Sequence, residues 1–184
     1  MADPADRDSR ESAWIIRVVV HDDHQAFEEL VRLHQSAVRR FLRRLTDNDQ
    51  ARADDLAQET FWRAYRYINT FEGRGRFLSW LFGIAYQRFV SDERRAGKTS
   101  HVPLPDDIED PEPDTISTRL TFDQLMQSLR PEERAAVVLH YRYELTHSEI
   151  AEALGVPVGT VKSLIRRARL KLQHAHAPRL TESE

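Results

Sequence analysis

Apolar residues recur every three to four positions along most of this 184-residue chain, which is the spacing of one face of an α-helix. No segment alternates apolar and polar side chains as a half-buried β-strand does, so the pattern predicts an all-α protein. The periodicity fails in residues 101–118, HVPLPDDIEDPEPDTIST, where prolines and acidic residues are too dense for a packed element. We expect an extended linker there, between two small helical domains.

We place the linker at residues 98–118. It separates an expected N-terminal domain at 12–97 from an expected C-terminal domain at 119–176. The predicted helices cover residues 26–45, about 51–68 and 77–95 in the first domain and begin near residues 121, 131, 146 and 157 in the second. The third helix is apolar over more than half its circumference, so we expect it to lie centrally. Its remaining narrow polar strip consists of Ser79, Gly83, Tyr86 and Gln87.

The last two predicted helices have the start and stop signals of a helix-turn-helix. Thr146 and Glu149 have the Thr-x-x-Glu spacing of a capping box, which satisfies amides at a helix start. Gly155 stands where a helix ends in a left-handed residue, and Pro157 stands where the next helix opens.

The second of these helices has one apolar stripe and one basic face. The stripe consists of Val161, Ile165, Ala168 and Leu172. The residues predicted to enter the DNA major groove are Gly159, Thr160, Lys162, Ser163, Arg166 and Arg167, with Arg169 and Lys171 predicted to hold phosphates. A basic face by itself is often only a solvated surface. The coincidence of cap, glycine turn and one-sided charge favours duplex DNA binding.

The predicted helix at 51–68 carries a tryptophan on its polar side. Trp62 shares that side with three polar residues, Asp55, Gln58 and Glu59. A large exposed aromatic with a polar rim is typical of a protein-binding surface. The alternative is that Trp62 folds down onto its own domain.

The loop before the central helix, NTFEGRGR at 69–76, combines glycines, arginines and an aromatic residue. Arginines can hold phosphates and aromatics can stack on bases, which suits an unstacked single strand better than a duplex. The residues predicted to bind single-stranded nucleic acid here are Asn69, Phe71, Arg74, Arg76, Ser79, Tyr86 and Gln87. Alone this signal is weak, because many helix–helix loops contain Gly and Arg.

The net charge of −3 conceals a segregation of charge along the chain. Acidic residues dominate the first thirty or so positions and the linker, whereas basic residues dominate 74–98 and the last predicted helix. The chain has no cysteine, which excludes disulfides and thiolate metal sites. No apolar run is long enough for a membrane span, and the N-terminus lacks a signal peptide's apolar core, so we expect a cytoplasmic protein without membrane insertion.

Four segments resemble one family in the same order along the chain. ADDLAQETFWRAY (53–65), FLSWLFGIA (77–85), LRPEERAAVVLHY (129–141) and LTHSEIAEALGVPVGTVKS (145–163) are similar to bacterial RNA polymerase sigma factors. The similarity covers about 25–175 and is strongest to the extracytoplasmic-function (ECF) group, which has only the second and fourth sigma regions.

This resemblance implies a role for each domain. Asp55, Gln58, Glu59 and Trp62 match the surface that docks on the clamp helices of core RNA polymerase. The loop at 69–76 and the helix after it match the part that opens the promoter −10 element and captures a flipped base. The final helix matches the reader of the −35 duplex, and its domain would also hold the polymerase flap. The resemblance further implies control by an anti-sigma protein anchored in the membrane, and no cofactor.

The chain departs from the family's pattern in two helices, the central helix and the final one. The family has Arg at the place of Gly83 and Arg-Asn at the place of Tyr86 and Gln87, which puts base preference at −10 in doubt. Leu164 stands where such proteins often carry Arg. By its helical angle Leu164 leans toward the apolar stripe, so we assign that lost contact to Arg166 and Arg167.

Two other classes of function remain as alternatives. A stand-alone helix-turn-helix regulator that binds an operator as a dimer would explain the C-terminal domain but not the linker, Trp62 or the 69–76 loop. An enzyme would need a catalytic or metal cluster. Asp54, Asp55 and Glu59 could suggest acid–base chemistry, and the histidines near 21–24 and at 174 and 176 could suggest a metal. Adjacent residues on a helix diverge, so neither kind of cluster converges on one point, and we expect no metal and no catalysis.

Overall fold

The computed structural model describes residues 4–73, 75–97 and 122–176, so the predicted linker at 98–118 lies outside the described residues. Every regular element in the described part is a helix, which confirms the all-α prediction. The helices are α1 (Pro4–His21), α2 (His24–Leu45), α3 (Gln50–Tyr67), a short 3₁₀ turn (Ile68–Thr70), α4 (Phe77–Arg95), α5 (Phe122–Gln127), α6 (Pro131–Tyr143), α7 (His147–Leu154) and α8 (Val158–His176). Helix α1 begins before residue 12, where the N-terminal domain was expected to start.

Side-chain caps set several of the helix starts. The carboxylates of Asp23 and Asp49 each accept a backbone N–H three residues ahead, at 3.0 Å. Such caps satisfy amides that have no partner inside the helix. At α7 the predicted capping box is present, with the Thr146 amide donating to Glu149 at 2.8 Å. The helix ends at Gly155 with φ of 68°, the left-handed conformation that glycine adopts most easily.

The N-terminal lobe, α1 to α4, is built around α4. Phe82 of α4 is fully buried, and its ring centroid lies 4.9 Å from that of Phe41 on α2. The Arg52 guanidinium on α3 binds Asp92 near the end of α4 at 2.7 Å. Helix α1 is tied to α2 by the buried His34, whose Nε2 lies 2.7 Å from the Glu11 carboxylate.

The C-terminal lobe, α5 to α8, buries the apolar stripe of α8. Val161, Leu164 and Ala168 are each no more than 2% exposed. The buried Glu133 of α6 binds the Lys171 ammonium of α8 at 2.8 Å, so a charge pair adds to the apolar contact between these helices. The same carboxylate accepts the Arg130 amide at 3.0 Å and thereby also caps α6.

The two lobes pack against each other, α7 on α4 and α6 on α2. The centre of the second contact is Arg134, whose side chain is 5% exposed. Its guanidinium donates to the Arg44 carbonyl at 3.0 Å and to Asp47 at 2.5 Å in the N-terminal lobe. It also donates to two carbonyls of its own lobe, which gives this buried cation several acceptors.

Candidate nucleic-acid interfaces

Helix α8 presents a polar and basic face at its N-terminal end. Gly159, Lys162, Ser163 and Arg166 are exposed, whereas Thr160 is half-buried. Leu164 is 2% exposed and belongs to the core, as its helical angle predicts. The Ser163 hydroxyl donates to the Gly159 carbonyl at 3.1 Å, so its oxygen remains available as an acceptor. The exposed residues of this turn can therefore reach a groove without any rearrangement of α8.

Two other predicted DNA-binding residues are engaged inside the lobe. Lys171 binds Glu133 at 2.8 Å and Arg167 lies 3.6 Å from the same carboxylate, with their side chains 29% and 23% exposed. Arg169 is exposed. The role of Glu133 could not be predicted from the sequence, because nothing in the local pattern of α6 shows which distant cations it faces. The DNA contacts of Arg167 and Lys171 stay predictions, because in this structure both side chains lie at the Glu133 carboxylate.

The surface around Trp62 is open, as expected for a partner-binding site. Trp62 is 55% exposed, and the Arg66 guanidinium lies 4.8 Å from its ring centroid. Together with Asp55, Gln58 and Glu59 it lines a shallow depression of about 270 Å³. We call these four residues the Trp62 surface.

A second depression, of about 370 Å³, adjoins the Trp62 surface and was not predicted. It shares Gln58 and Trp62 and adds the aromatic residues Phe27, Phe61 and Tyr65. The half-buried aromatic rings point to an apolar extension of the same surface. Phe27 and Phe61 fall on the apolar sides of their helical patterns, and such positions do not by themselves indicate a binding surface.

Glu59 is the charged residue of the Trp62 surface with a defined partner. Its carboxylate accepts the Arg88 guanidinium at 2.8 Å. That hydrogen bond, together with the charges of Arg88 and Arg63, outweighs burial and holds the pKa of Glu59 below its ordinary value. Glu59 is therefore ionised at neutral pH while being anchored to α4.

The 69–76 loop is open at its start and packed in its middle. Asn69 is exposed, but Phe71 is half-buried between Phe77 and Trp80, at centroid distances of 5.3 and 5.7 Å. Gly73 and Gly75 adopt φ of 72° and 76°, which residues with side chains rarely do. Arg74 lies outside the described residues.

The polar strip of α4 is covered, contrary to the expectation of an open strip. Ser79 is 9% and Tyr86 7% exposed, and burial raises the pKa of the Tyr86 hydroxyl. A Cβ on Gly83 would lie 3.5 Å from the backbone of Ala153 in α7. The strip is buried because the C-terminal lobe packs on it, a contact between lobes that periodicity within one helix does not reveal. Of the strip, Gln87 is exposed.

Arg76 connects the loop to the C-terminal lobe. Its guanidinium donates to the carbonyls of Tyr143 and Glu144 at 3.1 and 3.3 Å and lies 3.4 Å from the Glu149 carboxylate. Three of the residues predicted to bind single-stranded nucleic acid, Arg76, Ser79 and Tyr86, thus contact or lie beneath the other lobe.

The described residues contain no group of three or more His, Asp or Glu side chains arranged to hold a metal ion. None of the described helices combines the length and the apolar character that a membrane crossing requires.

Two family models match the chain, one in each lobe. The model described as sigma-70 region 2 matches residues 30–99, and the model described as sigma-70, region 4 matches residues 119–172. The ECF RNA polymerase sigma factor SigE of Mycolicibacterium smegmatis is 40% identical over 86% of this chain and 64% of its own length. The ECF RNA polymerase sigma factor SigW of Bacillus subtilis is 32% identical over 86% of this chain and 92% of its own length.

Solved structures similar to the chain include two complexes. The sigma factor RpoE from Bartonella quintana, solved with the anti-sigma factor NepR, aligns with a TM-score of 0.64 and 26% identity, over 81% of this chain and 95% of its own. CnrH, solved with the cytosolic domain of CnrY, aligns with a TM-score of 0.63 and 21% identity, over 89% of this chain and 95% of its own, and supports the fold alone.

Proposed function

The chain belongs to the ECF group of RNA polymerase sigma factors, and we propose how its two lobes divide the work of promoter recognition. In this proposal it is an initiation subunit that binds core RNA polymerase and directs it to a set of promoters. The N-terminal lobe corresponds to sigma region 2. Its predicted range is 12–97, and in the structure helix α1 adds the residues before position 12. Residues 119–176 correspond to region 4, and residues 98–118 link them.

The exposed face of α8 is the observation that carries the −35 assignment. Lys162, Ser163 and Arg166 are exposed there, while Val161 and Leu164 on the opposite side are buried in the lobe. A recognition helix needs this division, because its inner face fixes it to the domain and its outer face enters the major groove. Arg and Lys can read guanine edges, each good contact discriminating by roughly 1–3 kcal/mol.

The remaining DNA assignments follow the same logic. Gly159 and Thr160 open α8 and border the groove, Arg167 extends the reading face, and exposed Arg169 suits a phosphate contact.

For the −10 strand we assign Asn69, Phe71, Arg74, Arg76, Ser79, Tyr86 and Gln87. The support is their grouping around one loop and one helix, although some of them lie under the C-terminal lobe in this arrangement.

Core polymerase is the partner that we assign to the Trp62 surface. An aromatic residue that is 55% exposed and rimmed by Asp55, Gln58 and Glu59 has the composition of an interface anchor. The C-terminal lobe would bind the polymerase flap.

An anti-sigma factor is the expected regulator, since RpoE of Bartonella quintana was solved with one. The protein would act in the cytoplasm, with the polymerase, and without catalysis or cofactor of its own.

Run-off transcription with purified core polymerase on a library of genomic fragments tests this function. We expect transcripts that start downstream of a shared −35 and −10 pair only when both proteins are present. Arg166→Ala should weaken transcription from those promoters, whereas Glu152→Ala, at an exposed position on α7, should leave it unchanged. Absence of any core-dependent transcript, or footprinting of a palindrome without core polymerase, would point to a dimeric regulator instead.

A further inference from the structure

Two histidines of the C-terminal lobe lie next to each other where the helix-turn-helix begins. His140 is in the last turn of α6, and His147 is the first residue of α7. Their ring centroids are 5.2 Å apart, and the ring planes differ by 29°. Both residues are half-buried, and neither takes part in the proposed function. Because they belong to different helices, periodicity within one helix does not predict their contact.

The turn between α6 and α7 holds the backbone of this pair in place. Leu145, in that turn, is 2% exposed, and its amide donates to the Leu139 carbonyl at 3.1 Å. The capping box of Thr146 and Glu149 then sets the start of α7. A buried anchor and a helix cap thus fix the point from which the His147 side chain extends.

The hydrogen bond of His140 determines which of its ring nitrogens is free. Nδ1 of His140 lies 3.2 Å from the Leu145 carbonyl oxygen, which can only accept. Nδ1 therefore carries the proton, and Nε2 keeps its lone pair in the neutral ring. A histidine that binds a metal ion through one nitrogen usually donates its other N–H to a carbonyl or a carboxylate in this way.

The distance between the two rings suits a shared metal ion. A tetrahedral Zn²⁺ with Zn–N distances of about 2.0–2.1 Å holds the centroids of two imidazole ligands about 5 Å apart. The centroid distance of 5.2 Å between His140 and His147 agrees with this arrangement. Imidazole is a good ligand for zinc, copper and nickel ions, whereas Mg²⁺ and Ca²⁺ prefer oxygen.

Other described histidines are engaged differently. Nε2 of His34 lies 2.7 Å from the Glu11 carboxylate, and Nδ1 of His24 lies 3.0 Å from the Tyr65 hydroxyl. Each of these rings has a polar side chain as its partner. His140 and His147 are the described histidines whose rings contact each other, so the metal-binding chemistry belongs to this pair.

We propose that His140 and His147 bind one divalent transition-metal ion, such as Zn²⁺, which joins the end of α6 to the start of α7. Nε2 of His140 and one ring nitrogen of His147 are its protein ligands, and water fills the remaining positions. The ion stabilises the helix-turn-helix because it binds the folded lobe, where the rings meet, more tightly than the unfolded chain. Promoter recognition does not require it, so a failure of this site leaves the sigma assignment untouched.

Isothermal titration of the untagged full-length protein with Zn²⁺ tests the site. His147→Gln removes one ligand and should weaken binding at this site by about tenfold or more. His21→Gln, at an exposed position on α1, is the matched control and should leave the affinity unchanged. Mg²⁺ should not bind here. Equal Zn²⁺ affinity and stoichiometry in His147→Gln and the unmodified protein would overturn the proposal.

Paramagnetic Cu²⁺ locates the ion in amide spectra of isotope-labelled protein. The amide signals of residues 140–148 should broaden first in the unmodified protein and in His21→Gln, but not in His147→Gln. Broadening centred on residues 21–24 in all three proteins would place the ion elsewhere and overturn the site.

Thermal unfolding followed by circular dichroism measures the stabilisation. At free Zn²⁺ about a hundredfold above its Kd, the equilibrium constant of unfolding should fall by about the same factor, which raises Tm. The rise should be absent in His147→Gln, whose helices are checked without metal. A rise that persists in this variant would assign the stabilisation to another site. Gel filtration completes the test, because Zn²⁺-dependent dimers that need His147 would mean a site shared between two copies, not one within the chain.

Discussion

Replacement of Glu133 gives the sharpest test of how the recognition helix is held. Its side chain is 2% exposed and accepts hydrogen bonds from the Lys171 ammonium and the Arg130 amide, and the Arg167 guanidinium lies 3.6 Å from the same carboxylate. Glu133→Gln keeps an oxygen for the amide but removes the charge. Hydrogen bonds to charged groups contribute about 1.5–3 kcal/mol. Because the Lys171 side chain is 29% exposed and can reach water once released, we expect a loss near the lower limit, about 1.5 kcal/mol.

Glu133→Ala removes the cap of α6 as well, which adds about 1 kcal/mol. The two variants should therefore lower Tm by about 3–6 °C and about 5–10 °C, in thermal unfolding followed by circular dichroism. Glu152→Gln, at an exposed position on α7, is the matched control and should stay within about 0.5 kcal/mol of the unmodified protein.

A double-mutant cycle with Lys171→Met isolates the charge pair itself. If the pair holds α8 on α6, the coupling energy between Glu133→Gln and Lys171→Met should be about 1 kcal/mol or more. Lys171→Met should then leave the salt dependence of −35 DNA binding unchanged, whereas Arg169→Ala should reduce the salt slope by about one. A coupling energy near zero, together with a weaker salt dependence of DNA binding in Lys171→Met, would refute the structural role. Lys171 would then be assigned to a phosphate contact.

Three further variants probe the other sites. Trp62→Ala should weaken binding to core polymerase by about 2 kcal/mol, close to thirtyfold in Kd by surface plasmon resonance, with Tm unchanged because the ring is 55% exposed. Gly155→Ala should destabilise the chain by about 1 kcal/mol in urea unfolding, since φ is 68° there. Because the pKa of Glu59 is lowered in the folded state, its stabilising contribution is complete above the ordinary carboxyl value of 4.5 and is lost as pH falls through the lowered pKa. Glu59→Gln should therefore reduce the loss of the free energy of unfolding as pH falls below 4.5, measured by urea unfolding at several pH values.

Local features of the fold could be predicted from the sequence because their causes lie within a few residues. The capping box at Thr146 and Glu149 and the left-handed Gly155 are both present. Leu164 is buried, as its angle around the helix predicts. The exposure of Trp62 could also be predicted, because one helical pattern was enough to separate its polar side from its apolar side.

Contacts between distant parts of the chain could not be predicted in this way. Glu133 lies in the first turn of α6, where an acidic residue is common for helix capping alone. Its pairing with Lys171 depends on how α6 and α8 cross, which no periodicity encodes. The pattern also predicted that Ser79 and Tyr86 would be exposed, because it does not show which other helix packs on them. The pattern of α4 shows which residues share a face, but the face is covered by a helix some seventy positions further along.

Gly83 is the one position where the sequence does contain a signal of that distant contact. A glycine inside a helix weakens it by about 1 kcal/mol relative to alanine, so its presence in the middle of α4 calls for a compensating contact. The backbone of Ala153 lies opposite Gly83, close enough to exclude side chains longer than alanine. Since alanine would also fit, with its Cβ at 3.5 Å, Gly83→Ala should strengthen α4 while the lobes stay in contact. The contact between α4 and α7 therefore depends on the absence of a side chain longer than alanine at position 83.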